Sequence, residues 1–151
     1  MKIYVASSWR NPHQPAIVSI LRSLGHEVYD FRQPVEGNDG FGWKQVMPSY
    51  VQGGKVDPVE FREGLKHPLA VEGYKLDIAA VRWCDAVVYV LPCGRSASWE
   101  FGYVMGQGKK GYVVMFDRDE PDLMFSEATI LTNMDEFLEA FNTLGKFDTR
   151  T

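Results

Sequence analysis

At 151 residues the chain has the length of one domain, with room for a real hydrophobic core. Hydrophobic residues make up 45% and charged residues 24%, the balance of an ordinary soluble globular protein. Lys plus Arg number 16 against 20 Asp plus Glu, a net charge of −4 that argues against a duplex nucleic-acid partner but leaves small anionic ligands open.

In chain order, the first expected element is the strand "KIYVA" (2–6), which starts at once and shows no signal-peptide pattern. The turn "ASSWRNP" (6–12) leads into a helix over 13–24, where Ile17, Val18, Ile20, Leu21 and Leu24 recur on a helical period that stops at Gly25. A second strand follows, "EVYDF" (27–31). The stretch 34–66 breaks the pattern: it is rich in Gly and Pro, carries Phe41, Trp43 and Tyr50, and reads as a long loop or lid. A helix over 68–83 then precedes the strand "AVVYVL" (86–91) and the loop "LPCGRSASWE" (91–100). The remaining expectations are a helix at 98–108, strands "GYVVMF" (111–116) and "ATILT" (128–132), a helix at 134–143, and a tail, "KFDTRT", read as disordered or as a contact arm. No apolar run approaches the roughly 18 residues that a membrane span needs.

Near-continuous apolar strands alternating with amphipathic helices indicate an α/β fold, a doubly wound five-stranded parallel sheet in a single domain covering 1–151. The expected strand order is 2-1-3-4-5. In such sheets ligands sit beyond the carboxyl ends of the strands, where the order reverses. That rule selects the loops 6–12 and 91–100 as the walls of one cleft.

The second of these loops ends in Glu100. An acid at a helix start can be a dipole cap worth about 0.3–1 kcal/mol. Set among helix N–H groups, hydroxyls and Arg95, it can also be a nucleophile toward an electrophilic sugar carbon. Ser96 and Ser98 are either N-cap residues or contacts to an anion or a sugar hydroxyl, and Gly94 forms the turn. After the first strand, Ser7, Ser8 and Arg10 suit a phosphate, Arg by bidentate pairing. Tyr4 reads as a core strand residue. Asp77 reads as a solvated helix acid or as one at a helix–sheet boundary, and Asp85 as a structural cap. His13, His26 and His67 share no metal-ligand spacing, so no metal is expected. Cys84 and Cys93 are too few for a structural zinc site, and they point to a reducing, cytoplasmic setting.

Taken together, "KIYVASSWRN", "DIAAVRWCDAVVYVLP" and "GRSASWEFGYVMGQGKKGYVV" resemble the nucleoside 2-deoxyribosyltransferase superfamily, which includes the 2'-deoxynucleoside 5'-monophosphate N-glycosidases. The shared pattern is a strand with Tyr, two Asp eight residues apart (Asp77 and Asp85), an apolar strand, and a Ser- and Gly-containing loop into Glu100-Phe101-Gly102. The resemblance implies a flavodoxin-like fold, a homodimer or a dimer of dimers, and no cofactor. It implies Glu100 as the nucleophile of a glycosyl-enzyme intermediate, Asp77 assisting the departing base and Tyr4 orienting Glu100. It also implies Ser96 and Ser98 at the sugar or phosphate end, and makes Met124 a candidate for donation to a neighbouring subunit. Gly94 stands where the nucleoside transferases commonly carry an Asp, and "ASSWR" is similar to the phosphate-gripping loop of the monophosphate glycosidases.

The function implied is cleavage of the N-glycosidic bond of a nucleotide or nucleoside. Two alternatives stand beside it: a nucleotide-binding sensor without chemistry, and a hydrolase of NAD-like dinucleotides with Phe41 and Trp43 stacking on the ligand.

Overall fold

The computed structural model describes residues 1–142, so the tail "KFDTRT" lies outside the described residues. The described chain forms two compact units, one made of Met1–Asp30 with the residues from Trp83 onward, the other of Phe31–Arg82. The fold is α/β and flavodoxin-like.

The first unit carries a five-stranded sheet, β1 (Lys2–Ala6), β2 (Glu27–Tyr29), β3 (Ala86–Val90), β4 (Lys110–Val114) and β5 (Thr129–Leu131). Its order is β2-β1-β3-β4-β5, as expected, and every pairing is parallel. The register sets Tyr4 beside Val87 and Ala6 beside Tyr89. Because side chains alternate across a strand, each strand feeds both faces of the sheet. On one face Ile3, Val5, Val88, Val90 and Val114 form the main core with Ile17, Val18 and Leu21 of α1 (Gln14–Ser23). Phe137 and Phe141 of α5 (Met134–Phe141) complete it. Gly25 closes α1 at φ 86, a left-handed backbone that glycine adopts without strain.

On the other face lies α4 (Arg95–Gly106), which buries Ala97, Phe101 and Val104 at helical spacing. Phe101 stacks on Tyr89 at 5.0 Å between ring centroids. Gly111 makes this approach possible, because a Cβ there would sit 3.0 Å from the Phe101 ring and collide with Met105.

Several strands are shorter than or offset from the sequence reading by a residue or two, and two differences are larger. Helix α4 begins at Arg95 rather than 98, because extended Gly94 (φ −107, ψ −160) is its N-cap and no residue after it breaks the helix. The segment 34–66 is also more structured than a loop. In the second unit it holds a short 3-10 turn at Trp43–Gln45 and helix α2 (Pro58–Gly64). Asp57 caps α2, accepting hydrogen bonds from the Val59 and Glu60 N–H groups, and Pro58 supplies the favoured first position. The second unit continues into α3 (Pro68–Trp83).

Candidate active site

The carboxyl ends of β1 and β3 are bound together by side chains. Ser7 donates to the Val90 carbonyl at 3.0 Å, and Asn11 donates to the same carbonyl at 3.0 Å and to Pro92 at 3.1 Å. Both residues are buried. Asn11 also accepts from the His13 N–H at 2.8 Å, so one amide closes the turn into α1 and fixes its neighbour loop. Ser7 therefore commits its proton to the scaffold. Ser8 turns the loop by accepting from the Arg10 N–H at 3.2 Å, while Arg10 itself is exposed. Asn11 escaped the sequence reading because a loop asparagine announces no partner; only pairing of the loops explains its burial.

Helix α4 leaves this edge directly. Its first helical residue is Arg95, so Glu100 is the sixth, in the second turn. The field of a helix terminus fades within the first turn. Glu100 is thus not a dipole cap, and neither Ser96 nor Ser98 is the N-cap. Gly94 has that place and offers no side chain to the N–H groups of the first turn, which stay oriented toward the loop. Glu100 is half-buried, whereas Arg95, Ser96 and Ser98 are exposed.

Behind these residues lies a polar cluster that was not singled out from sequence. The Tyr89 hydroxyl is 2.7 Å from Ser98 Oγ and also pairs with the Cys93 thiol. Ser98 Oγ donates to the Gly94 carbonyl at 3.2 Å. Burial pushes the Tyr89 hydroxyl well above its ordinary range. The Cys93 thiol is pushed up to about 11, first by burial and then by the negative charges of Asp119 and Glu100, against an opposing hydrogen bond from Tyr89. The charge of Glu100 is thus felt at Cys93.

This gives a measurable expectation. A thiol whose pKa is raised from 9.0 to about 11 favours the neutral form in the folded protein. It therefore contributes stability that is complete below pH 9.0 and lost as pH rises toward about 11. Alkylation needs the thiolate, so in a Cys84→Ala background Cys93 is expected to react with iodoacetamide roughly a hundredfold more slowly at pH 8 than an ordinary exposed cysteine. Removing a negative charge with Glu100→Gln should shift the rate profile to lower pH; an unchanged profile would contradict the proximity of the two groups.

Tyr4 is fully buried on β1, stacked against Tyr29 at 5.3 Å. Asp85 accepts from the Lys2 N–H at 2.9 Å, the structural role expected of it. Met124 lies on a 3-10 turn, Leu123–Glu127, and is 68% exposed. In the second unit Asp77 is half-buried on α3 beside buried Ile78. Trp43 is half-buried too, its ring 5.0 Å from Phe41 and 5.3 Å from Phe61. Phe41 in turn seats on Gly73 of α3, where a Cβ would lie 3.0 Å from it.

A cavity of about 380 Å³ opens at the carboxyl ends of β3 and β4, lined by Pro12, His13, Pro92, Phe116 and Arg118 among others. None of its lining residues belongs to α4.

No protein-family model matches the chain, and no curated protein matches it. Among solved structures, a 2-deoxyribosyltransferase from the psychrotolerant bacterium Bacillus psychrosaccharolyticus is similar at a TM-score of 0.53 and 21% identity. The match covers 99% of this chain and 93% of that one. What the two proteins share at this distance is the fold, over nearly the whole length of both.

Proposed function

We propose that the protein cleaves the N-glycosidic bond of a nucleotide or nucleoside, with Glu100 as nucleophile. The observation that carries this reading is a half-buried carboxylate in the second turn of α4, on a helix that starts where the loops after β1 and β3 are bound together. The fold shared with a 2-deoxyribosyltransferase supports it. In the proposed reaction a Glu100 oxygen attacks the anomeric carbon and the carbon–nitrogen bond breaks. The base leaves with the electron pair, and Asp77 neutralises it by a proton or hydrogen bond. Water or a second base then displaces the sugar from Glu100 with net retention, restoring the carboxylate. Tyr4 acts on the orientation of Glu100, and Gly94 and Ser96 line the sugar end.

Arg10 with Ser8 holds a 5'-phosphate in this proposal. A charge-assisted hydrogen bond is worth about 1.5–3 kcal/mol, a factor of roughly ten to a hundred. Incubation with paired monophosphates and nucleosides, followed by detection of free base, is expected to show a preference of that size for the monophosphate. Arg10→Ala should erase the preference. Equal rates on both substrates would move the reading to free nucleosides, and no base from any substrate would end it. The homodimer belongs to the same proposal, in which exposed Trp99 (55%), Leu123 (78%) and Met124 (68%) supply apolar surface for a second copy.

A further inference from the structure

The sequence leaves Ser98 at either the sugar or the phosphate end, and its hydrogen bonds favour one of the two. A serine hydroxyl has one proton to donate and two lone pairs to accept with. Ser98 Oγ has two partners among the described residues, the Gly94 carbonyl at 3.2 Å and the Tyr89 hydroxyl at 2.7 Å. A carbonyl cannot donate, so the first contact exists only if Ser98 gives it its proton. The Tyr89 proton must then point at Ser98 Oγ. The chain runs Tyr89 O–H to Ser98 O–H to Gly94 C=O, and both protons end on oxygen. This order needs a neutral phenol, which burial favours.

We propose that Tyr89 is a positioning residue that fixes Ser98 as an acceptor-only contact, so that Ser98 recognises a sugar hydroxyl and not the phosphate. One lone pair of the exposed Ser98 oxygen remains for a ligand, and no proton does. An ionised phosphate oxygen only accepts and finds nothing there. The negative charges of Asp119 and Asp122, felt at Cys93 and Tyr89, further disfavour an anion at this spot. A ribose or deoxyribose hydroxyl can donate and matches the vacant lone pair. This inference rests on the glycosidic reading of the site and narrows it: Arg10 meets the phosphate, Ser98 the ring.

The test is binding, kept apart from turnover. Titration calorimetry on the Glu100→Gln protein would use the ribo, 2'-deoxy, 3'-deoxy and 2',3'-dideoxy forms of one nucleoside monophosphate. Loss of the donating hydroxyl is expected to weaken binding roughly tenfold, as for a net neutral hydrogen bond, and the member at which the loss falls identifies the 2'- or 3'-hydroxyl. Added to this background, Ser98→Ala should abolish the difference, Ser98→Thr should keep it, and Tyr89→Phe should reduce it several-fold. None of the three should alter the phosphate preference, which belongs to Arg10. In turnover with the intact nucleophile, Tyr89→Phe should raise KM for the hydroxyl-bearing substrate and leave kcat nearly unchanged. A Ser98→Ala protein that keeps the hydroxyl preference, or one that loses the phosphate preference, overturns the assignment, as does a panel of which no member binds. Base release by wild type decides the glycosidic reading independently. Should Tyr89→Phe fail to fold, Ser98→Ala and Ser98→Thr decide the assignment by the same two readouts, the hydroxyl difference and the phosphate preference.

Discussion

Glu100→Gln is expected to lower the release of free base by at least about a thousandfold while leaving the protein folded. The amide has nearly the shape of the carboxylate but cannot form the glycosyl ester. The structural cost is small because Glu100 sits in the second turn of α4, beyond the reach of the terminal dipole, and the apolar anchors of the helix are Ala97, Phe101 and Val104. A change in stability within about 1 kcal/mol follows. Denaturant unfolding alongside turnover checks both halves. A folded Glu100→Gln protein with full activity would exclude a carboxylate nucleophile at this position. Wild type incubated with a slow 2-fluoro sugar analogue should carry the added mass on the peptide that contains Glu100, which is the direct sign of a covalent intermediate.

Replacing Asp77 by Asn is the second large effect. A departing base carries negative charge, and an acid that supplies a proton or a hydrogen bond contributes roughly a hundred- to ten-thousandfold. Asp77 is half-buried on α3 next to buried Ile78, so its carboxyl is partly removed from water. Asp77→Asn is expected to bind substrate as wild type does and to release base slowly. Leaving groups that depart easily should be spared, so the penalty on a nitrophenyl glycoside should shrink to a few-fold. If binding were lost in calorimetry while turnover per complex stayed the same, Asp77 would be a binding residue and the acid would have to be sought elsewhere.

These expectations draw on the sequence and the structure in different measure. The strands were legible in the chain because they follow from short-range pattern. Near-continuous runs such as "AVVYV" satisfy a strand that is buried on both sides, and β3 is indeed buried at all five positions. The loops followed from topology, since a parallel sheet with a reversed order places its ligand edge without reference to any side chain. Glu100 stood out because a carboxylate at such an edge is chemically conspicuous. Asp85 was assigned a structural role from its place at the opposite end of β3, and its bond to the Lys2 N–H agrees.

Boundaries and hydrogen-bond partners were not legible. Nothing local tells a helix to start at Arg95 and not at Ser98, because serine is a good cap and also sits tolerably in a first turn. The extended backbone at Gly94 decides it, and with it whether Glu100 is a cap or lies a turn further in. Helix α2 was hidden by its Gly- and Pro-rich surroundings, although Asp57-Pro58 is a helix-start signal at short range. Asn11, Tyr89 and Cys93 are the larger omission. Each is ordinary in sequence, and each gains its role from a partner far along the chain or across a turn: Asn11 from Val90, Tyr89 from Ser98, Cys93 from the phenol and the neighbouring charges. Hydrophobic period is written in consecutive residues and survives being read one window at a time. The direction of a proton in a side-chain hydrogen bond depends on which acceptors the folded chain brings within about 3 Å, and that is decided only when the sheet and α4 have packed.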